Sequence, residues 1–262
     1  MEKLRDYFWI WGHPVNSLHG IFGLKDESKM TPYDAMRYLG AQNILYVPMG
    51  RTVNKEEEST KMNVAREFGW SLETAATHSE NVFELAALAM KYPKLKKVMF
   101  DDFFNEENGP NNYLNYTPKM LSAYRDKLHA AEAEMWMVLY SKQLFCDLEL
   151  EAFINEFDGV SLWFWEEKDI ADFELYVHEF FRLTEGKQRM LGCYMYDFGA
   201  QKPSSDGCVT YQLDKSREFI LSNKTQGVML HTNVIADLGF AAVEEARAWL
   251  EAHGDEAANC FV

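Results

Sequence analysis

Residues 97–103 read KVMFDDF, an apolar run that ends in two carboxylates between aromatic rings. The apolar residues follow one another without polar interruption, which is typical of a strand buried on both faces of a parallel sheet. A segment with helical spacing follows Ser79, before this strand, and another follows Thr117, after it. A strand between two helices is the repeating unit of an α/β fold.

Apolar runs of the same kind recur along the whole chain. The eight predicted strands are residues 7–12, 43–49, 71–77, 97–103, 135–140, 159–165, 190–198 and 227–233. Helical segments lie between them, some with clear starts such as Thr31-Pro32, where a capping residue precedes a proline at the first helical position. Eight alternating units predict a parallel sheet closed into a (β/α)8 barrel, the TIM barrel. An open doubly wound sheet would carry a glycine-rich phosphate turn, and the sequence has neither GxGxxG nor GxxxxGK[ST].

Length and composition agree with one such barrel. The 262 residues predict a single domain spanning 1–262, since barrels of this type need about 250 residues. A net charge of −15 predicts no nucleic-acid partner, because the chain would repel phosphates. The four cysteines show no CxxC spacing and are expected to be reduced thiols. The sequence has no apolar signal core and no membrane-length run, so we expect a cytoplasmic protein that does not enter membranes.

Polar and aromatic residues gather at the predicted C-terminal ends of the strands, where barrel enzymes place their active sites. The candidates for substrate binding there are Trp11, His13, Arg51, His78, Tyr140, Trp165, Tyr196, His231 and Asn233. Indole rings can stack on the apolar faces of sugar rings, while the polar side chains bond the hydroxyl groups. The sequence predicts no cofactor and no bound metal, because it has no HExxH or similar ligand spacing.

Four acidic residues are the candidates for catalysis. Asp101 and Asp102 directly follow an apolar strand, where burial and a like-charged neighbour favour one protonated and one ionised carboxyl. Successive strand residues point to opposite faces, so we expect Asp102 to reach the pocket and Asp101 to orient it. Glu166 follows Trp165 and is a candidate proton donor, and Asp197 lies between aromatic residues in the same way. Each acid could instead cap a loop or begin a helix.

A barrel with carboxylates after strands four and six and tryptophans at its rim resembles the TIM-barrel glycoside hydrolases at the level of the superfamily. In members that act on α-linked sugars, an Asp ending strand four is the nucleophile and an acid after strand six donates the proton. The resemblance implies these roles for Asp102 and Glu166, and a carbohydrate substrate. The chain departs from the clan with Asn-Glu after strand four and Glu after strand seven, since strand seven offers Asp197. It also lacks the DxxDxDxE run of chitinase-like barrels, which leaves linkage and stereochemistry open.

Two other functions compete with glycoside hydrolysis. One is a metal-dependent sugar isomerase or hydrolase, with His78, Asp102, Asp197 and His231 as ligands of an ion that polarises the substrate or activates water. The other is a carbohydrate-binding barrel without catalysis, because a fold does not by itself imply a reaction.

Overall fold

Eight parallel strands form a closed ring in the computed structural model, which describes residues 1–73, 79–104, 116–146 and 150–258. The barrel strands are β1 (Phe8–Gly12), β2 (Asn43–Tyr46), β3 (Phe68–Glu73), β4 (Leu95–Asp101), β5 (Glu134–Tyr140), β6 (Gly159–Trp163), β7 (Gln188–Tyr194) and β8 (Val228–His231). Each strand pairs with its neighbours in chain order, and β1 pairs with both β2 and β8, which closes the ring. The predicted (β/α)8 barrel is confirmed.

Helices connect the strands and pack on the outside of the ring. They are α1 (Pro32–Leu39), α2 (Lys55–Met62), α3 (Ser79–Lys91), α4 (Pro118–His129), α5 (Leu150–Ile154), α6 (Phe173–Leu183), α7 (Cys208–Leu221) and α8 (Ala241–His253). The predicted caps of α1 and α4 are present, since the Thr31 and Thr117 side chains each accept a backbone N–H three residues on, at 3.2 Å. No helix in the described ranges is long and apolar enough to cross a membrane.

Every strand differs from its predicted bounds by at least one residue, and the differences at the C-terminal ends matter at the rim. Strand β3 starts at Phe68, three residues before the predicted run, because Phe68 pairs with both β2 and β4. Strands β2, β4, β6, β7 and β8 end earlier than predicted, at residues 46, 101, 163, 194 and 231. Beyond β7, Tyr196–Asp197 pairs instead with Lys202–Pro203 in a short antiparallel hairpin. Residues 74–77 of the third predicted strand lie outside the described residues.

The barrel interior is filled by large rings seated over glycines. Trp136 and Trp163 are fully buried. A Cβ added at Gly159 would lie 2.5 Å from the Trp136 ring, and one added at Gly192 would lie 2.0 Å from the Trp163 ring. These strand positions need glycine because the neighbouring indole takes up the space of a side chain. Trp163 thereby forms part of the wall below the C-terminal mouth of the barrel.

A cavity of about 390 Å³ opens at the opposite, N-terminal end of the barrel. Its charged side chains pair with one another: Arg66 contacts Glu2 and Asp6, and Lys97 Nζ lies 2.7 Å from a Glu134 carboxylate oxygen. The N-terminal face of a TIM barrel contributes stability, whereas catalytic groups lie at the C-terminal face. We therefore place the candidate site in the smaller cavity at the C-terminal ends of the strands.

Candidate functional site

The C-terminal cavity has a volume of about 120 Å³ and a mixed lining. Its polar side chains are Asp101, Asp102, Tyr140, Tyr194, His13 and His231. Its aromatic side chains are Trp11, Trp163, Trp165, Phe22 and Phe198. An apolar pocket with a few convergent polar groups is the usual form of a small-molecule site.

Asp101 and Asp102 both line the cavity, although consecutive strand residues point to opposite faces. Asp101 ends β4, and Asp102 already lies beyond the strand with a φ of +50°, in the left-handed region. Asp is among the few residues other than glycine that adopt this conformation readily. The turn brings the second carboxylate toward the side of the first, so the expected alternation does not hold here.

Each of the two carboxylates accepts a hydrogen bond from a neighbouring group. An Asp101 carboxylate oxygen accepts the Asp102 backbone N–H at 3.0 Å, and Asp102 Oδ1 accepts the Tyr140 hydroxyl at 2.9 Å. Burial raises the pKa of Tyr140 well above its usual value, and Tyr194 and Asp102 raise it further. Burial and the two aspartates raise the pKa of Tyr194 in the same way. Both phenols therefore stay protonated and can act as hydrogen-bond donors at neutral pH.

Two buried histidines lie in direct contact across the ends of β1 and β8. His13 Nε2 is 3.3 Å from His231 Nε2, and His13 Nδ1 is 3.2 Å from the Val47 carbonyl oxygen. Burial lowers the pKa of His13 to about 4. Burial lowers the pKa of His231 well below its ordinary value, and His13 lowers it further. Both imidazoles are neutral at physiological pH, so the pair adds no positive charge to the cavity.

Aromatic rings form the remaining wall. The Trp11 and Trp163 centroids lie 4.9 Å apart at an angle of 69°, and Trp163 continues to Tyr194 at 5.0 Å. Trp165 stacks on Phe198 at 5.8 Å and is only half-buried. The predicted stacking residues Trp11 and Trp165 thus both line the cavity, with Trp165 the more open to solvent.

The two other predicted acids lie elsewhere. Glu166 is 43% exposed and pairs with Lys168 at 2.6 Å, and it does not line the cavity. It fails to reach the cavity because β6 ends at Trp163, so Glu166 already leads into the 3₁₀ helix Glu167–Asp172. Asp197 is buried in the hairpin, where its Oδ1 accepts the Ala200 backbone N–H at 3.0 Å. Asp197 lines a separate small crevice.

Three predicted binding residues have other partners. The Tyr196 hydroxyl donates to the Phe22 carbonyl at 3.0 Å, outside the cavity lining. Arg51 is exposed and donates to backbone carbonyls of the loop after β1. Asn233 is fully buried: its Oδ1 accepts the His13 backbone N–H at 2.6 Å, and its Nδ2 donates to the His13 carbonyl at 3.1 Å. Asn233 therefore positions His13. His78, the last of the predicted set, lies outside the described residues.

Some cavity residues were not predicted as site residues. Tyr194 is the last residue of β7. The sequence predicted that this strand continues to residue 198, which placed Tyr196 nearer its end. Phe22 and Met49 reach the cavity from loops with φ values of +51° and +53°. Sequence gives no signal for a bulky residue in the left-handed region, which is rare outside glycine, Asn and Asp.

The alternative metal set is not assembled by the described residues. Asp102 and His231 share the cavity, but Asp197 does not line it. Across the described ranges, no three His, Cys, Asp or Glu side chains are grouped so that they could hold a metal ion.

No protein-family model matches the chain, and no curated protein matches its sequence. Solved structures of enzymes do resemble it. A probable 2-pyrone-4,6-dicarboxylic acid hydrolase from Acinetobacter baumannii is 13% identical with a TM-score of 0.54, covering 94% of this chain and 91% of that one. A tryptophan synthase complex from Pyrococcus furiosus is 10% identical with a TM-score of 0.54, covering 96% and 98%.

The spore cortex-lytic enzyme SleL from Bacillus megaterium is 10% identical with a TM-score of 0.57, covering all of this chain and 76% of that one. At such identities a likeness carries no information about the reaction. What these comparisons show is the fold alone, and that fold is the TIM barrel.

Proposed function

We propose that the protein is a glycoside hydrolase that uses Asp101 and Asp102 as its reacting carboxylates. The observation that carries the proposal is that both carboxylates line one cavity, together with phenol donors and tryptophan rings. Glycoside hydrolysis needs a proton for the leaving oxygen and a carboxylate beside the oxocarbenium-like carbon. Within the described ranges, these two aspartates are the carboxyl groups that line the cavity.

The size of the cavity limits how much of a substrate can enter it. Its volume of about 120 Å³ is below the roughly 150 Å³ of a protein cavity that holds a benzene ring, and a sugar ring with its hydroxyl groups is larger than benzene. The cavity as it stands therefore takes up no more than one ring, with part of that ring outside it. Trp11, Trp163 and Trp165 offer flat apolar surfaces to such a ring, and Tyr194 offers a hydroxyl donor. The hydroxyl hydrogen of Tyr140 is already donated to Asp102 Oδ1. We therefore expect a single terminal sugar unit to enter, rather than the interior of a long polymer.

The hydrogen bonds suggest how the two aspartates divide the work. Tyr140 donates to Asp102 Oδ1, as a phenol does to a carboxylate, so we assign Asp102 the ionised role beside the anomeric carbon. Asp101 takes the proton-donor role that the resemblance implied for Glu166, because Glu166 faces solvent and Lys168. The bond from the Asp102 backbone N–H to Asp101 fixes the two carboxyl groups relative to each other.

A panel of 4-nitrophenyl glycosides tests the proposal, with Asp101→Asn and Asp102→Asn compared with the parent protein. Each variant should lose about 10²–10⁴-fold in kcat, the usual contribution of a positioned acid or base. Azide should restore turnover of the Asp102→Asn variant and yield a glycosyl azide, because it replaces the missing carboxylate at the anomeric carbon.

Glu166→Gln is the matched control, since it removes an acid outside the cavity and should keep parent activity. Parent activity in both aspartate variants, or loss of activity in Glu166→Gln alone, would show that the assignment is wrong.

The position of Glu166 also favours a second candidate, a sugar-binding barrel without turnover, because no carboxyl of the described residues faces Asp102 from β6. That function predicts sugar binding that quenches tryptophan fluorescence but no release of nitrophenol. Binding would then survive both aspartate substitutions.

A further inference from the structure

In the part of the chain that the structure describes, one ring nitrogen of a cavity-lining residue has no partner from another residue. His231 Nδ1 is buried, and no other residue of the described ranges offers it a hydrogen-bond partner; the imidazole otherwise interacts with the backbone of its own residue. Around the imidazole lie the rings of Tyr194 and Phe198, each with its centroid 4.8 Å away, and that of Trp163 at 6.0 Å. Native proteins rarely leave a buried polar atom unpaired unless a ligand or water completes it.

The chemical state of this nitrogen follows from its neighbours. The Val47 carbonyl can only accept, so the His13 Nδ1 that faces it at 3.2 Å must carry the hydrogen. A neutral His13 then has a bare Nε2, which accepts from His231 Nε2 at 3.3 Å. His231 Nε2 therefore carries the hydrogen of that ring, and Nδ1 is left as a bare lone pair.

We infer that His13 and His231 act as a tautomer relay that holds His231 Nδ1 as a hydrogen-bond acceptor for a donor group of the ligand. The ligand group is a hydroxyl or an N–H. Under the proposed function, on which this part rests, it is one hydroxyl of the bound sugar ring. An ether oxygen, a fluorine or an anionic oxygen at that point would face a lone pair and be rejected.

Asn233 supports the relay from the backbone side. It accepts the His13 N–H and donates to the His13 carbonyl, so the residue that sets the tautomer is fixed at both of its backbone groups. Its Nδ2 also donates to the Met30 carbonyl at 2.7 Å. His13 directly follows β1 and His231 ends β8, and these two strands are paired where the barrel closes. His13 and Asn233 are positioning residues, and His231 contacts the ligand.

Nitrogen-15 NMR of histidine-labelled protein tests the relay without any substrate. At pH 7, His231 should show a pyridine-type Nδ1 and a pyrrole-type Nε2, and His13 should show the reverse pattern. Spectra of His231→Phe and His13→Leu assign the signals. In His13→Leu the acceptor for His231 Nε2 is gone, so hydrogen should move in part to Nδ1. A protonated Nδ1 in the parent protein would overturn the inference, and His231→Gln, which keeps a polar side chain in the cavity, provides the assignment if His231→Phe does not fold.

Binding of monosaccharides tests the ligand part. The probes are glucose, galactose, mannose and N-acetylglucosamine, followed by deoxyfluoro analogues of whichever binds most tightly. One fluorine substitution should weaken binding to the parent about 10–100-fold, and the same substitution should have little effect on binding to His231→Phe. His178→Gln, on the exposed face of α6, is the control and should behave as the parent.

The outcomes separate the two proposals. A sugar that binds without moving the Nδ1 resonance, or analogues that all bind equally, would refute the acceptor role of His231. Absence of binding for every sugar would refute a carbohydrate ligand and with it the proposed function. The nitrogen-15 spectra would still show whether His13 and His231 have the tautomers that the relay requires.

Discussion

Acidification is expected to destabilise the fold through His13, and the size of the effect can be worked out from its environment. His13 has an ordinary pKa of 6.5, and burial lowers it to about 4 in the folded protein. The unfolded chain therefore takes up a proton at a higher pH than the folded one, and stability falls as pH decreases from 6.5 toward 4. The full difference corresponds to about 3 kcal/mol, of which about 2 kcal/mol is lost between pH 7 and pH 5. His231 changes stability in the same direction, since its pKa is also lowered.

The assay is urea unfolding, followed by circular dichroism, of the parent and of His13→Gln at pH 7 and pH 5. Other groups also titrate in this range, so the useful quantity is the difference in unfolding free energy between the two proteins. This difference should shift by about 2 kcal/mol in favour of His13→Gln as pH falls. His178→Gln, which removes an imidazole from the surface of α6, measures the effect of deleting a histidine outside the barrel.

A parent-minus-variant difference that stays constant from pH 7 to pH 5 would refute the reasoning. It would mean that His13 is not kept neutral by burial, and the relay to His231 would lose its starting point. Low protein concentration is needed at pH 5, because the pI of the chain is about 4.9.

Three substitutions test the packing on which the site depends, each by urea unfolding at pH 7. Gly192→Ala should lower the unfolding free energy by about 3 kcal/mol, because its methyl group would overlap the Trp163 ring; parent-like stability would contradict the packing of that ring. Lys97→Met should lower the unfolding free energy by about 2 kcal/mol, because Glu134 loses its charged partner and keeps only its neutral donors Trp136 and Gln188; adding Glu134→Gln should recover part of the loss. Thr31→Ala removes the cap of α1 and should lower the unfolding free energy by about 1 kcal/mol. An unchanged unfolding free energy would show that the cap does not stabilise the protein.

The architecture was predictable because the deciding signals are local. Near-continuous apolar runs, helical spacing between them and proline at the starts of α1 and α4 each depend on a few neighbouring residues. The count of eight units then specified a closed barrel, and the barrel located the candidate site at the strand ends. Asp101 and Asp102 could be predicted for this reason, since they stand at the C-terminal end of an unambiguous strand.

The membership of the cavity was less predictable, because it depends on where each strand stops. A run of apolar residues does not end where its ladder ends: β6 stops at Trp163, Trp165 still lines the cavity, and Glu166 already leads into the 3₁₀ helix. Strand β7 stops at Tyr194, so Tyr194 enters the cavity in place of Tyr196. Side-chain direction alternates only as far as the ladder continues, so the position of a residue in the apolar run does not predict its direction beyond the last paired residue.

The sequence alone determined the barrel, its order of elements and the pair of aspartates at the end of its fourth strand. Only the tertiary structure decided that Glu166 and Asp197 lie outside the cavity and that His13 and His231 meet within it. The reason is physical: the first set of properties follows from interactions between near neighbours in the chain. The contact between His13 and His231 joins positions 218 residues apart, and it exists because closing the ring pairs the first strand with the last.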